Sequence, residues 1–150
     1  MNAPHKFQPK DPDFAARIRA SFARQQAMDL SGARLTVVEP GYTEIVLAYR
    51  PELTQLKAYV HGGILGMIAD SACGYAAYSL MPASASLVTV EYKINILAPA
   101  KGDLLARGEV VRPGRTLTVT RGEVLAADGT HVATMQQTLM MLPDTPDTAE

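Results

Sequence analysis

The stretch HGGILGMIADSACGYAAYSL, from His61 to Leu80, decides the fold. It is apolar around nearly its whole circumference, and Gly66, Ala69, Ala72, Cys73, Ala76 and Ala77 keep it slim. A helix without a polar face is a buried one, and its small residues would let a sheet wrap closely around it. From Gly62 to Val90 the chain holds one formal charge, Asp70. Gly66, Gly74 and Pro82 interrupt this run and its second half reads as a strand, so no membrane span is predicted.

Downstream, LVTVEYKINIL (87–97) sets Val88, Val90, Tyr92, Ile94 and Ile96 in alternation with Thr89, Glu91, Lys93 and Asn95. Period two with one apolar face predicts a half-buried strand, with Thr89 on the face opposite Val88 and Val90. DLLARGEVVR (103–112), RTLTVTRGEVLA (115–126) and HVATMQQTLMML (131–142) predict three more, joined at Pro113-Gly114 and Asp128-Gly129. Upstream, ARLTVVE (33–39) and YTEIVLAY (42–49) form a hairpin about Pro40-Gly41, followed by a polar connection from Pro51 to Val60. Phe14, Ile18, Phe22 and Met28 predict one amphipathic helix over 13–28, with Asp11 or Asp13 as its cap. Six strands and one wholly apolar helix give an α+β class with an antiparallel sheet curled around the helix. The strand edges left over need covering by a partner.

A chain of 150 residues is one domain, 1–150, with its core expected over about 33–142 and flexible tails at 1–10 and 143–150. With 47% apolar residues, 19% charged ones and a net charge of −1, it is globular and has no global attraction to nucleic acid or anionic lipid. The one cysteine, Cys73, excludes an intrachain disulfide and fits a reducing compartment. The N-terminus MNAPHKFQPK has charges and prolines where a secretory signal has an apolar core, so a cytoplasmic protein is expected.

Asp70 is the residue most suggestive of chemistry. A lone carboxylate on an apolar helix is costly unless donors hold the anion, and one so placed is a candidate base or nucleophile; a carboxylate satisfied by backbone amides is the plainer reading. His61-Gly62-Gly63 opens the helix, where the first amides are unpaired donors suited to polarising a carbonyl oxygen. Its plainer reading is a helix entry with a histidine cap. Arg112-Pro113-Gly114-Arg115-Thr116 sets two arginines about a turn, which can hold a phosphate or stand as a solvated hairpin. Met67, Tyr75 and Tyr78 are core residues that could also line an acyl pocket.

Residues 61–82, with an HGG and an Asp nine positions after the His, followed by the strands of 87–142, resemble the hotdog-fold acyl-CoA thioesterases of the phenylacetic-acid-degradation (PaaI-like) type. The similarity spans about 33–142. It implies a hotdog fold, hydrolysis of an acyl-CoA thioester without metal or organic cofactor, and a homodimer joined edge to edge; the family also builds homotetramers. It further implies that Asp70 is general base or nucleophile, that the Gly62 amide polarises the carbonyl, and that His61 helps hold that loop, with Gly63 beside the substrate. Gln55 stands where the family often has an Asn, and Thr89 where it often has a Ser or Thr opposite the Asp. The turn of Arg112, Gly114, Arg115 and Thr116 would lie near the CoA. In such dimers Gln55, His61 and Gly62 of one subunit face Asp70 and Thr89 of the other. Two other readings use the same fold: a dehydratase or hydratase, and a non-catalytic acyl-CoA-binding module. No nucleic acid or membrane partner is implied.

Overall fold

In the computed structural model of the chain, residues 7–148 are described; 1–6 and 149–150, parts of the two expected tails, lie outside the described residues. The apolar stretch folds as a helix, α3 (Gly62–Tyr78), preceded by α1 (Phe14–Arg24) and α2 (Gln26–Ser31). Six strands curl around it: β1 (Arg34–Glu39), β2 (Tyr42–Leu47), β3 (Ser86–Ile96), β4 (Leu104–Pro113), β5 (Leu117–Ala126) and β6 (His131–Leu142). All pairings are antiparallel in the order β1-β2-β4-β5-β6-β3, so the strand that follows α3 forms one edge of the sheet.

The close fit of α3 to the sheet has a cause on both sides. Gly108 of β4 and Gly122 of β5 are cross-strand partners directly beneath the helix. A methyl group on Gly108 would sit 2.3 Å from the Ala72 carbonyl carbon, and one on Gly122 would sit 2.9 Å from Cys73 Sγ. Backbone thus rests on backbone, and the Thr43 hydroxyl of β2 ties the contact by donating to the Ala72 carbonyl at 2.6 Å. Each glycine belongs to an Arg-Gly-Glu triplet. The flanking charges face outward and oppose each other in register, Arg107 to Glu123 and Glu109 to Arg121; Arg121 pairs with Glu109 and Arg107 with Glu44 of β2 at 3.2 Å, so a flat inner seat is backed by a charge-paired outer surface. Burial pushes the Cys73 thiol at this contact up to about 12, which leaves it a small apolar filler.

Two expectations are corrected. The helix predicted over 13–28 is two helices, because Gln25 between them adopts an extended backbone (φ −76°, ψ 100°). The break lets Gln25 donate inward to the Tyr75 hydroxyl at 2.9 Å and lets Met28 enter the core. Arg17 holds α1 on the fold: it pairs with Asp11 at 2.7 Å, donates to the Met81 carbonyl at 2.9 Å, and lies 4.1 Å over the Tyr78 ring. Through that hydrogen bond it holds the Asp11 carboxyl below its usual range.

The second correction concerns β3. Its register against β6 slips between Thr89 and Glu91, so Val90 is the extra residue of a β-bulge. Before the bulge, Leu87 and Thr89 face the helix and Val88 faces away; after it, Tyr92, Ile94 and Ile96 take the inner face. The simple alternation of Val88 through Ile96 is therefore broken, and Thr89 shares a face with the apolar residues that follow it.

Candidate active site

Asp70 lies two turns into α3, half-buried, where β3 and β6 cover the helix. Its Oδ1 accepts from the Thr89 hydroxyl at 2.8 Å and from the Gln137 side-chain amide. That same amide donates to Thr89 Oγ1 at 2.9 Å, which closes a triangle of three side chains. Among the described residues no donor reaches Oδ2. The anion is therefore held by side chains rather than by backbone amides, with one oxygen uncommitted. The sequence reading missed Gln137, although a signal for it exists: along β6, Ala133, Met135 and Leu139 make the buried inner face, and Gln137 is the one amide among them.

A cavity of about 530 Å³ runs from Asp70 and Thr89 past Tyr75 and Tyr78 to the end of α1. Tyr75 and Tyr78 thus line it, whereas Met67 packs into the core. Its far wall is polar. The Tyr75 hydroxyl meets Ser21 at 3.1 Å, and Arg24 pairs with Asp147 at 3.0 Å, so the C-terminal segment is tied across the cavity.

His61 is exposed, and its Nδ1 accepts from the Gly63 N–H at 2.8 Å. It is the N-cap of α3. With the Gly63 amide occupied, the Gly62 N–H is left without an acceptor among the described residues. Gly62 opens onto a second cavity of about 330 Å³, shared with Gln55 and with Ile96 at the far end of β3. Asp70 stands eight positions beyond Gly62 along the helix, a rise of about 12 Å. The single chain therefore presents two groups of predicted residues, Asp70 with Thr89 and Gly62 with Gln55, and does not bring them together.

Arg112, Gly114, Arg115 and Thr116 stand apart from both, at the exposed tip between β4 and β5. Gly114 is required by the turn itself, since a side chain there would run into the Leu117 carbonyl at 2.2 Å. Arg115 shares a cavity of about 350 Å³ with Lys10. The tip lies at the end of the sheet where Thr89 sits, because Thr118 pairs with Leu139, which pairs with Thr89. Among the described residues no three His, Cys, Asp or Glu side chains cluster as a metal site, and no helix is long and apolar enough to cross a membrane.

The sequence profile of the thioesterase superfamily matches residues 58–133, which hold α3 and its cap as well as Asp70, Thr89 and the arginine turn. The chain belongs to the thioesterase superfamily. A thioesterase family protein from Silicibacter pomeroyi is 46% identical and superposes with a TM-score of 0.84, over 87% of this chain and 98% of that one. The PaaI protein of the Escherichia coli phenylacetic acid degradation operon, 19% identical, shares the fold at a TM-score of 0.82 over 89% of this chain and 96% of its own. A Halobacterium salinarum protein held to be an esterase is 30% identical over 135 residues, 82% of this chain and 89% of that one. The superfamily's hotdog fold is thus the architecture derived above, a six-stranded antiparallel sheet around one long helix.

Proposed function

We propose that the protein hydrolyses acyl-CoA thioesters in a homodimer whose active sites are shared between subunits. One observation carries this reading: the two groups of candidate residues lie at opposite ends of one uncovered edge strand, Thr89 near the start of β3 and Ile96, which touches Gly62, at its end. The strand also exposes Val90, Tyr92 and Ile96. An edge strand that pairs with its own copy does so antiparallel about a twofold axis. With the axis between Tyr92 and Lys93, Thr89 of one subunit opposes Ile96 of the other. Each end of the shared strand then joins a Gly62 amide to a partner's Asp70.

In such a site the thioester carbonyl oxygen receives the Gly62 N–H at the helix N-terminus, where the partial positive charge favours developing oxyanion. Oδ2 of Asp70 takes a proton from attacking water or itself attacks the carbonyl carbon; either way the C–S bond breaks, and free acid and CoA leave after one water is consumed. The cap contact of His61 Nδ1 favours hydrolysis over a dehydratase, which needs its histidine for acid-base work. Mixing two inactive chains tests the sharing. A heterodimer of an Asp70→Asn chain and a Gly62→Pro chain has one site with neither lesion, so co-purified heterodimer is expected to recover about half of the wild-type thiol release per dimer. Activity no higher than that of the parents would place each site within one chain.

The exposed Arg112 and Arg115 are assigned to a phosphate of CoA. Arg112→Ala or Arg115→Ala should raise KM several-fold with little change in kcat, because a contact made equally before and during reaction is uniform binding. The acyl-pantetheine thioester, which lacks the nucleotide, should be hydrolysed equally by variants and wild type. Equal losses on both substrates would make the arginines structural.

A further inference from the structure

We infer that Gln137 is a positioning residue for the reaction: with Thr89 it holds Oδ1 of Asp70 so that Oδ2 is left open to react. The inference rests on the proposed role of Asp70. Gln137 is 1% exposed and stands on the inner face of β6, where its neighbours on that face are Met135 and Leu139. A buried amide in such a place is costly unless its polar atoms are used. Its nitrogen is fully used, one hydrogen on Asp70 Oδ1 and the other on Thr89 Oγ1, while its buried Oε1 has no partner among the described residues.

The orientation follows from this arrangement. Turning the amide over would press Oε1 against Asp70 Oδ1 and remove both donors, so this direction is the one that keeps an N–H on each of the Asp70 and Thr89 oxygens. Because Gln137 donates to Thr89 Oγ1, the threonine hydroxyl has its own hydrogen free for Asp70 Oδ1. Two donors thus converge on one carboxylate oxygen. A side chain chosen only to fill this place would be apolar; this one leaves a carbonyl unsatisfied in order to keep its nitrogen on the carboxylate. The other titratable groups around Asp70 are Cys73 on the next turn of α3, Tyr75 and Tyr78 further along it, Arg24 of α1, and Asp147 of the C-terminal segment. β3 presents the neutral Thr89 and, beside Gly66 one turn earlier on α3, the Tyr92 hydroxyl; β6 presents the neutral Gln137.

The test compares Gln137→Met, which keeps the volume and removes the donors, with Gln137→Glu, which sets a second carboxylate against the first. Both are assayed as full-length dimers for thiol release from hexanoyl-CoA and benzoyl-CoA between pH 5 and 8, using whichever thioester the wild type turns over faster. Gln137→Met should lower kcat by about 10- to 100-fold, as expected when a reacting group loses its alignment, with KM within about twofold. Gln137→Glu should move the acid limb of kcat/KM up by about one pH unit or more, because a like charge disfavours the ionised form. A residue that serves packing alone would change the melting temperature and leave the kcat/KM split and the pH profile in place. Gln137→Met removes a buried unsatisfied group and should fold at least as well as wild type, so it decides the matter alone if Gln137→Glu does not fold. A folded Gln137→Met enzyme with wild-type kcat and an unmoved acid limb overturns the inference. If Asp70→Asn is inactive in the same assay, that result leaves the role of Asp70 standing; if Asp70→Asn is active, the role of Asp70 fails first.

Discussion

Asp70→Asn is expected to lower kcat by about a thousandfold or more while the protein stays folded. The change is nearly isosteric. The Asn side-chain carbonyl can still accept from Thr89 and Gln137 as Oδ1 does now, so the triangle that positions the group survives. What is lost is the uncommitted oxygen: an amide nitrogen takes the place of Oδ2, and it can neither take a proton from water nor attack a carbonyl. The half-buried position means that removing the charge carries no large folding penalty, and the thermal midpoint should match the wild type within a few degrees. Thiol release near the wild-type rate from a folded Asp70→Asn dimer would refute both routes of the proposed mechanism together.

Gly62→Pro isolates the other half of the site. Proline at the first position of a helix is well tolerated, because the N–H it lacks has no helical acceptor there. The preceding residue must be extended, and His61 is, at φ −62° and ψ 137°. The added ring atoms meet Ile96 Cδ1, the flexible end of a side chain, which can give way. The substitution therefore removes one hydrogen-bond donor from an otherwise intact cap. Loss of a single oxyanion donor costs about 100- to 1,000-fold in kcat. Gly62→Ala is the control, since it meets the same Ile96 atom and keeps the N–H, and it should retain most of the activity. If the alanine variant falls as far as the proline variant, crowding at Ile96 rather than the amide is responsible, and the oxyanion role of Gly62 is withdrawn.

The sequence made some of these features readable and hid others, for reasons that differ. The lack of any polar face over 61–80 revealed α3, and the turn pairs Pro40-Gly41, Pro113-Gly114 and Asp128-Gly129 separated the strands. Asp70 stood out because it is alone. The face of Thr89 was misleading, since a one-residue bulge at Val90 reverses the alternation beyond it, and no turn residue marks a bulge of this kind. Gln137 was hidden for another reason. It is one of two adjacent glutamines, and only the alternation of Ala133, Met135 and Leu139 about it puts it, rather than the exposed Gln136, on the inner face. The break at Gln25 was equally silent, because the hydrogen bond to Tyr75 that rewards it joins residues distant in sequence.

The glycine pair beneath α3 has a consequence for how this protein can change over time. Gly108 and Gly122 leave no room for a side chain, so the close approach of the helix that carries Asp70 depends on both positions staying glycine. The far wall of the cavity is attached differently. Ser21, Arg24, Gln25 and Asp147 reach it through side-chain contacts that substitutions can break and remake one at a time. Lineages are therefore free to reshape the cavity from that side, while the carboxylate keeps its place. Diversity among descendants should accumulate in α1 and the C-terminal segment, and the two Arg-Gly-Glu triplets should drift least.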